Sequence, residues 1–219
     1  MNIGIILSGC GYLDGAEIHE TTLAMLAMDQ SGVSYQGIAP ERPQNEIVNH
    51  CTQRKEGGER SILFESSRIM RGNIIDLDSA NVDDYDALIF PGGFGVAKNL
   101  SDFAYNQEEY TVNPDILGFA KDAAQSSLPM GFICIAPIIM PFIYPRGIRL
   151  TIGNDKDIAS ILINKGAEHM ECDASNIIID ENNKTISTPA YMIGSGLTEI
   201  KQGIDKLVAQ LIKFIQEGR

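Results

Sequence analysis

Leu128-Pro129-Met130-Gly131-Phe132-Ile133-Cys134-Ile135-Ala136-Pro137 is the stretch that decides the fold. A short apolar run after a proline reads as a buried strand of a parallel sheet. The run stops at Cys134. Ala136, Pro137 and the apolar residues beyond them read as the first turn of a helix, where proline is tolerated because its missing N–H would be unpaired anyway. A single nucleophilic side chain at a strand-to-helix corner has the pattern of a nucleophile elbow. A helix N-terminus there offers orphan N–H groups and partial positive charge, which favour thiolate over thiol. A buried structural cysteine is the alternative reading of the same residue.

Upstream of the elbow, residues 114–125 read as the helix leading into its strand. Asp86-Ala87-Leu88-Ile89-Phe90 reads as another buried strand, running into the Gly-rich turn Pro91-Gly92-Gly93-Phe94-Gly95, which opens a helix over about 97–103. Residues 3–7 read as the first strand, and Ser8-Gly9-Cys10-Gly11 breaks it. A helix over about 16–30 comes next, with Ile18, Leu26 and the methionines on its apolar faces and Gly32 closing it. Asp14 and Glu17 have capping-box spacing. The spacing then predicts a strand over 33–39, a short apolar patch at Ile47-Val48, a helix over 61–70 and a strand over 74–77.

Downstream, the same reading predicts a strand over 148–152, a helix over 155–164 and a hairpin at Asn182-Asn183 joining 177–179 to 185–188. Ile200, Ile204, Leu207, Val208, Leu211 and Ile215 recur at helical spacing and mark a core-facing terminal helix. Strands alternating with helices, with no repeat or linker to divide the chain, predict one α/β domain over 1–219. The architecture expected is a flavodoxin-like three-layer sandwich, a mainly parallel sheet with helices on both faces. Ligands of such open sheets sit outside the carboxyl ends of the strands. Three loops with unusual chemistry fall there: residues 8–15, residues 91–95 and Cys134.

The chain has 219 residues, 44% of them hydrophobic and 21% charged, with a formal net charge of −12. That charge, with no basic stripe, speaks against nucleic acid or an anionic membrane surface as partner. No window approaches a membrane-spanning length. The first residues lack the basic region of a signal peptide. Cys10, Cys51, Cys134 and Cys172 are scattered, so reduced thiols in a cytoplasmic protein are expected rather than a disulfide framework. The same scatter, with three histidines, gives no zinc-ligand spacing, and neither metal nor cofactor is expected.

The combination of strand–Pro91-Gly92-Gly93–helix, strand–Cys134–helix and an acid on the first helix resembles the PfpI-like, class I glutamine amidotransferase-like superfamily. Within it, several segments resemble the ElbB group, named as isoprenoid biosynthesis proteins with an amidotransferase-like domain. They are Leu7-Ser8-Gly9-Cys10-Gly11, Asp14-Gly15-Ala16-Glu17-Ile18-His19-Glu20, Pro91-Gly92-Gly93-Phe94-Gly95, Lys98-Asn99-Leu100, Cys134-Ile135-Ala136-Pro137, Leu150-Thr151-Ile152-Gly153 and Thr188-Pro189-Ala190-Tyr191-Met192. The superfamily holds proteases, glyoxalases, deglycases, chaperones and amidotransferases, so fold alone does not settle function. The resemblance implies a glyoxalase converting methylglyoxal and water to lactate without glutathione or metal, and a homodimer.

Residue by residue, the resemblance makes Cys134 the nucleophile, a thiolate adding to an aldehyde carbon. Glu20, in the pattern Gly-Ala-Glu-x-x-Glu, matches the glutamate that touches the nucleophilic sulfur and becomes the acid/base; its alternative is a solvated helix acid. Gly93 and Ile135 would supply backbone N–H groups to the developing alkoxide; the Pro-Gly-Gly segment also reads as a plain tight turn. Glu17 reads as the cap partner of Asp14. His19 directly precedes Glu20, so on a helix their side chains point about 100° apart and only one can face Cys134. His50 and His169 read as structural or surface residues.

Without a positioned histidine, amide hydrolysis lacks its base and leaving-group acid. Aldehyde chemistry needs neither as badly, which ranks a small-dicarbonyl enzyme above an amidotransferase subunit. A non-enzymatic oxidation sensor or metabolite-binding protein is the rival of a different class. Cys10, at the end of the first strand, reads as a small packed residue, with a resolving thiol for Cys134 as its sharper alternative. No residue pattern accounts for a prenyl-diphosphate site.

Overall fold

The computed structural model describes residues 1–218. The elements in chain order are β1 (Asn2–Ile6), α1 (Ile18–Gln30), β2 (Ser34–Ala39), β3 (Ile47–Asn49), β4 (Arg54–Glu56), α2 (Ile62–Ile69), β5 (Ile74–Asp76) and β6 (Ala87–Phe90). Then come α3 (Phe103–Asn106), α4 (Pro114–Gln125), β7 (Met130–Ile133), α5 (Met140–Ile143), β8 (Arg149–Leu150), α6 (Lys156–Asn164), β9 (Glu168–His169), β10 (Ile178–Asp180), β11 (Thr185–Thr188) and α7 (Leu197–Glu217). The main sheet has seven strands in the order β10-β11-β7-β6-β1-β2-β5. Six run parallel, and β10 closes one edge antiparallel to β11 through the hairpin. This is the flavodoxin-like α/β fold.

From β1 the chain steps outward to β2 and β5; from β6 it steps the other way to β7 and β11. Right-handed crossovers taken in opposite directions put α1 and α2 on one face and α4 on the other. The reversal lies between β1 and β6, which is where an open sheet leaves a crevice at its carboxyl edge. The apolar runs of β6 and β7 are wholly buried because both faces are covered. Phe90 and Phe132, paired in register, stack with ring centroids 4.9 Å apart. On α7 the expected stripe, Ile200 to Ile215, is buried, and α7 packs beside α1.

Three expectations are corrected. On α1 the buried face is Glu20, Thr21, Ala24, Ala27 and Met28, whereas Ile18 and Leu26 are 42% and 40% exposed. The helix buries Thr21, Ala24 and Ala27 together with the longer Glu20 and Met28. Residues 148–152 do not join the main sheet: β8 pairs with β9 in a separate two-stranded ribbon, tied to the sheet where Arg149 N donates to Asp180 Oδ2 at 3.0 Å. The helix after the Gly-rich turn is a π-helical turn over Val96–Leu100, followed by the short α3. Among the described residues no helix is long and apolar enough to cross a membrane.

Candidate active site

Register brings the site together. Phe90 pairs with Phe132, and Ile133 with Thr188, so the residues after β6, β7 and β11 emerge side by side. The ladder runs one bond further, Cys134 N donating to Thr188 O at 2.9 Å. Cys134 then takes φ 62°, a left-handed conformation strained for any residue with a Cβ. That is the elbow, and it aims the thiol across the sheet edge instead of along it. Beyond it the chain makes a 3₁₀ turn over Ala136–Ile139 and then α5, not one regular helix.

The start of α1 is built by Glu17, which corrects the capping expectation. Glu17 is itself the N-cap, its Oε2 accepting from Glu20 N at 2.7 Å. Its own N–H donates to Gly92 O at 3.0 Å, stitching the helix to the loop after β6. Asp14 organises the preceding loop. Fully buried, it accepts from Val48 N through Oδ2 (2.7 Å), and its carbonyl accepts from Gln44 Nε2 (2.6 Å) and Asn99 Nδ2 (2.8 Å).

This placement turns Glu20 inward. Its side chain is fully buried, accepting from Gly92 N (3.0 Å) and Tyr191 N (3.3 Å), and it hydrogen-bonds the Cys134 thiol. Burial, and then the nearby Glu17 carboxylate, push the Glu20 carboxyl up to about 8, while the two N–H groups and the thiol pull the other way. A solvated helix acid is excluded. Burial also raises the Cys134 thiol well above its ordinary value, with the Glu20 charge next and the Gly93 and Ile135 N–H groups opposing. The expectation of a thiol depressed by a helix N-terminus is therefore corrected: the turn is short and burial wins. Carboxyl and thiol form one buried acid pair in which ionising either disfavours ionising the other.

Gly93 and Ile135 both donate their N–H groups to the Cys134 sulfur. Gly93 takes φ 92°, and a Cβ there would meet Gly15 O at 2.3 Å. His19 lines the same cleft as Cys134 but is engaged there by others, its Nδ1 2.9 Å from the Tyr191 hydroxyl and 3.9 Å from Glu17 Oε1. His50 accepts from Leu13 N and packs edge-on against Tyr12, and His169 accepts from Ile152 N, so both serve loops. Cys10 lies half-buried among Glu65, Arg68, Asp14 and Arg60, and burial and Glu65 raise its thiol. Both thiols are free.

Cys134 and Ile135 open into a cleft of about 1200 Å³. Sequence reading missed two of its walls, residues 103–108 and the first turns of α6, because neither carries a recognisable chemical motif. It also missed Tyr191, whose N–H holds Glu20 and whose hydroxyl holds His19. Among the described residues no group of three or more His, Cys, Asp or Glu side chains is placed to hold a metal.

A strained cysteine at the end of a parallel strand, bonded to a buried glutamate from the first helix and facing a Pro-Gly-Gly loop, is the site of a class I glutamine amidotransferase-like protein. Known proteins of similar sequence and structure agree. A human protein described as "Glutamine amidotransferase-like class 1 domain-containing protein 3, mitochondrial" is 35% identical over 97% of this chain and 82% of its own length. The rat "ES1 protein homolog, mitochondrial" is 33% identical over 97% and 83%. The crystal structure of the isoprenoid biosynthesis protein with amidotransferase-like domain from Ehrlichia chaffeensis superposes with TM-score 0.90 at 30% identity, covering 98% of this chain and 100% of that one. Drosophila melanogaster DJ-1beta shares the fold alone, at TM-score 0.57 and 15% identity over 99% and 89%. No family model matches the chain.

The chain belongs to the ElbB-like family of isoprenoid biosynthesis proteins with an amidotransferase-like domain. One expectation falls here: the curated relatives are named as mitochondrial proteins, which overturns the cytoplasmic placement.

Proposed function

We propose that the protein is a cofactor-independent glyoxalase-type enzyme that converts 2-oxoaldehydes to 2-hydroxy acids. The observation that carries this is the buried Glu20–Cys134 pair with the Gly93 and Ile135 N–H groups converging on the sulfur. The thiol adds to the aldehyde carbon. Its proton passes through Glu20, and the new alkoxide lies where the two N–H groups can stabilise it. Glu20, with its affinity for a proton raised, then moves the former aldehyde hydrogen to the neighbouring carbonyl carbon. The first carbon is thereby oxidised to a thioester while the second is reduced to a carbinol. Water releases the hydroxy acid and restores the thiol, so no external oxidant or reductant is consumed.

The placement of the histidines favours this over amide hydrolysis: His19, His50 and His169 all have partners other than Cys134. The deciding experiment incubates purified protein with methylglyoxal and measures lactate. Lactate formation that is lost in both Cys134→Ala and Glu20→Gln supports the reading. Dicarbonyl loss that persists in Cys134→Ala rejects it.

A further inference from the structure

The cleft above Cys134 is far larger than methylglyoxal requires. At about 1200 Å³ it exceeds the roughly 300–1,000 Å³ that commonly encloses drug-sized ligands. Several large apolar side chains line it. Phe94, 49% exposed, lines it together with Phe103 from α3, Ile158 and Ile161 from α6, and Met192. A large aromatic ring left this exposed beside a nucleophile is a surface built to be covered.

Charge at the same cleft is mainly negative. Glu17, Glu108, Asp155 and Asp157 border it, against a single lysine. Lys98 is already engaged, its Nζ 2.9 Å from both Glu46 Oε2 and Leu13 O and 5.5 Å from the Phe94 ring centroid. Asp155 is occupied in capping α6, accepting from Asp157 N and Ile158 N. Asp157 and Glu108 make no ion pair among the described residues, and His19 is held by Tyr191. A ligand carrying carboxylate or phosphate would therefore enter a mainly negative field with no unengaged lysine or arginine in its lining to receive it.

We propose that the substrates of this site are bulky, apolar 2-oxoaldehydes without an anionic group, aryl or branched-alkyl, with the carbonyl pair at the Cys134 floor and the apolar body between Phe94 and α6. The proposal rests on the glyoxalase reading above for its chemistry. For its selectivity it rests on the cleft alone.

The test therefore has two arms. In turnover, methylglyoxal, phenylglyoxal and 4-carboxyphenylglyoxal are compared by hydroxy-acid formation. We expect kcat/KM for phenylglyoxal to exceed methylglyoxal by at least tenfold. The carboxylated ring should fall at least tenfold below phenylglyoxal and recover severalfold when Glu108→Gln and Asp157→Asn are combined. Methylglyoxal as good as phenylglyoxal, or indifference to the carboxylate, overturns the proposal.

In binding, the unreactive acetophenone and 4-acetylbenzoate are titrated onto Cys134→Ala. Acetophenone should bind at least tenfold more tightly. Equal binding of the two, or no binding of either, overturns the proposal whatever the turnover arm shows. Selective binding with no turnover of any aldehyde by the native protein sinks the glyoxalase reading and leaves the selectivity of the cleft standing.

Discussion

Glu20 and Cys134 are 114 residues apart in sequence and meet around Gly92, whose position admits no side chain: a Cβ there would lie 2.6 Å from Glu20 Oε2 and 3.0 Å from Cys134 Sγ. It would also lie 2.4 Å from Cys134 Cβ. The backbone of residue 92 is a spacer that sets the distance between acid and nucleophile while its N–H holds the acid in place.

Gly92→Ala forces the two groups apart. Overpacking of this kind costs about 1–3 kcal/mol, so the variant should fold with a lowered Tm and lose the activity of the pair. Thermal unfolding and lactate formation, measured on the same preparation, check this.

Glu20 keeps its proton up to about 8 in the fold, against an ordinary value of 4.5. Below pH 4.5 folded and unfolded chains both hold the proton and no stability is lost. As pH rises from 4.5 through about 8, the unfolded chain gives up a proton that the fold retains, and stability drains on the order of a few kcal/mol. Glu20→Gln should flatten that decline. Urea midpoints at pH 5 and pH 8 for native protein and variant measure it.

The same substitution should separate reactivity from catalysis. Removing the Glu20 charge takes away one cause of the raised thiol, second only to burial. Cys134 should then be alkylated by iodoacetamide with a midpoint at lower pH than in the native protein, even as turnover disappears. A midpoint that stays put or moves up would show that the two groups do not share a field.

At residue 134 itself the backbone is left-handed, φ 62°. Glycine tolerates that conformation and alanine does not, so Cys134→Gly should be more stable than Cys134→Ala by about 1 kcal/mol. Comparing the two denaturation midpoints tests the strain directly, since neither variant has a thiol.

Asn99 ties the first loop to the Gly-rich turn, donating to Ser8 O and Asp14 O at 2.8 Å each and accepting from Asn45 N at 3.0 Å. Asn99→Ala strands those groups, two of them in buried surroundings, at about 1–3 kcal/mol for a buried group left unpaired. A lowered Tm with increased protease cleavage in residues 8–15 is the expected result.

Much of this architecture was legible locally. The runs 86–90 and 128–134 end abruptly in Pro91-Gly92-Gly93 and Cys134, and strand termini that carry glycine or a lone nucleophile are readable without neighbours. Ile18, Leu26 and residues 148–152 misled because apolar content alone does not say which neighbour, if any, will cover it. Glu17 was paired with the wrong residue because two acids three apart fit either end of a cap, and only the entry path of the chain decides between them.

The order of strands and helices and the sharp corner at Cys134 follow from short-range pattern, since periodicity and turn chemistry are properties of adjacent residues; which face of α1 turns inward, and with it the burial of Glu20, does not. The protonation of Glu20, the role of Tyr191 and the size and sign of the cleft belong to the folded chain alone. Each depends on desolvation and on backbone groups arriving from β6, β11 and α6, and neither solvent exclusion nor long-range register is written in any one stretch of residues.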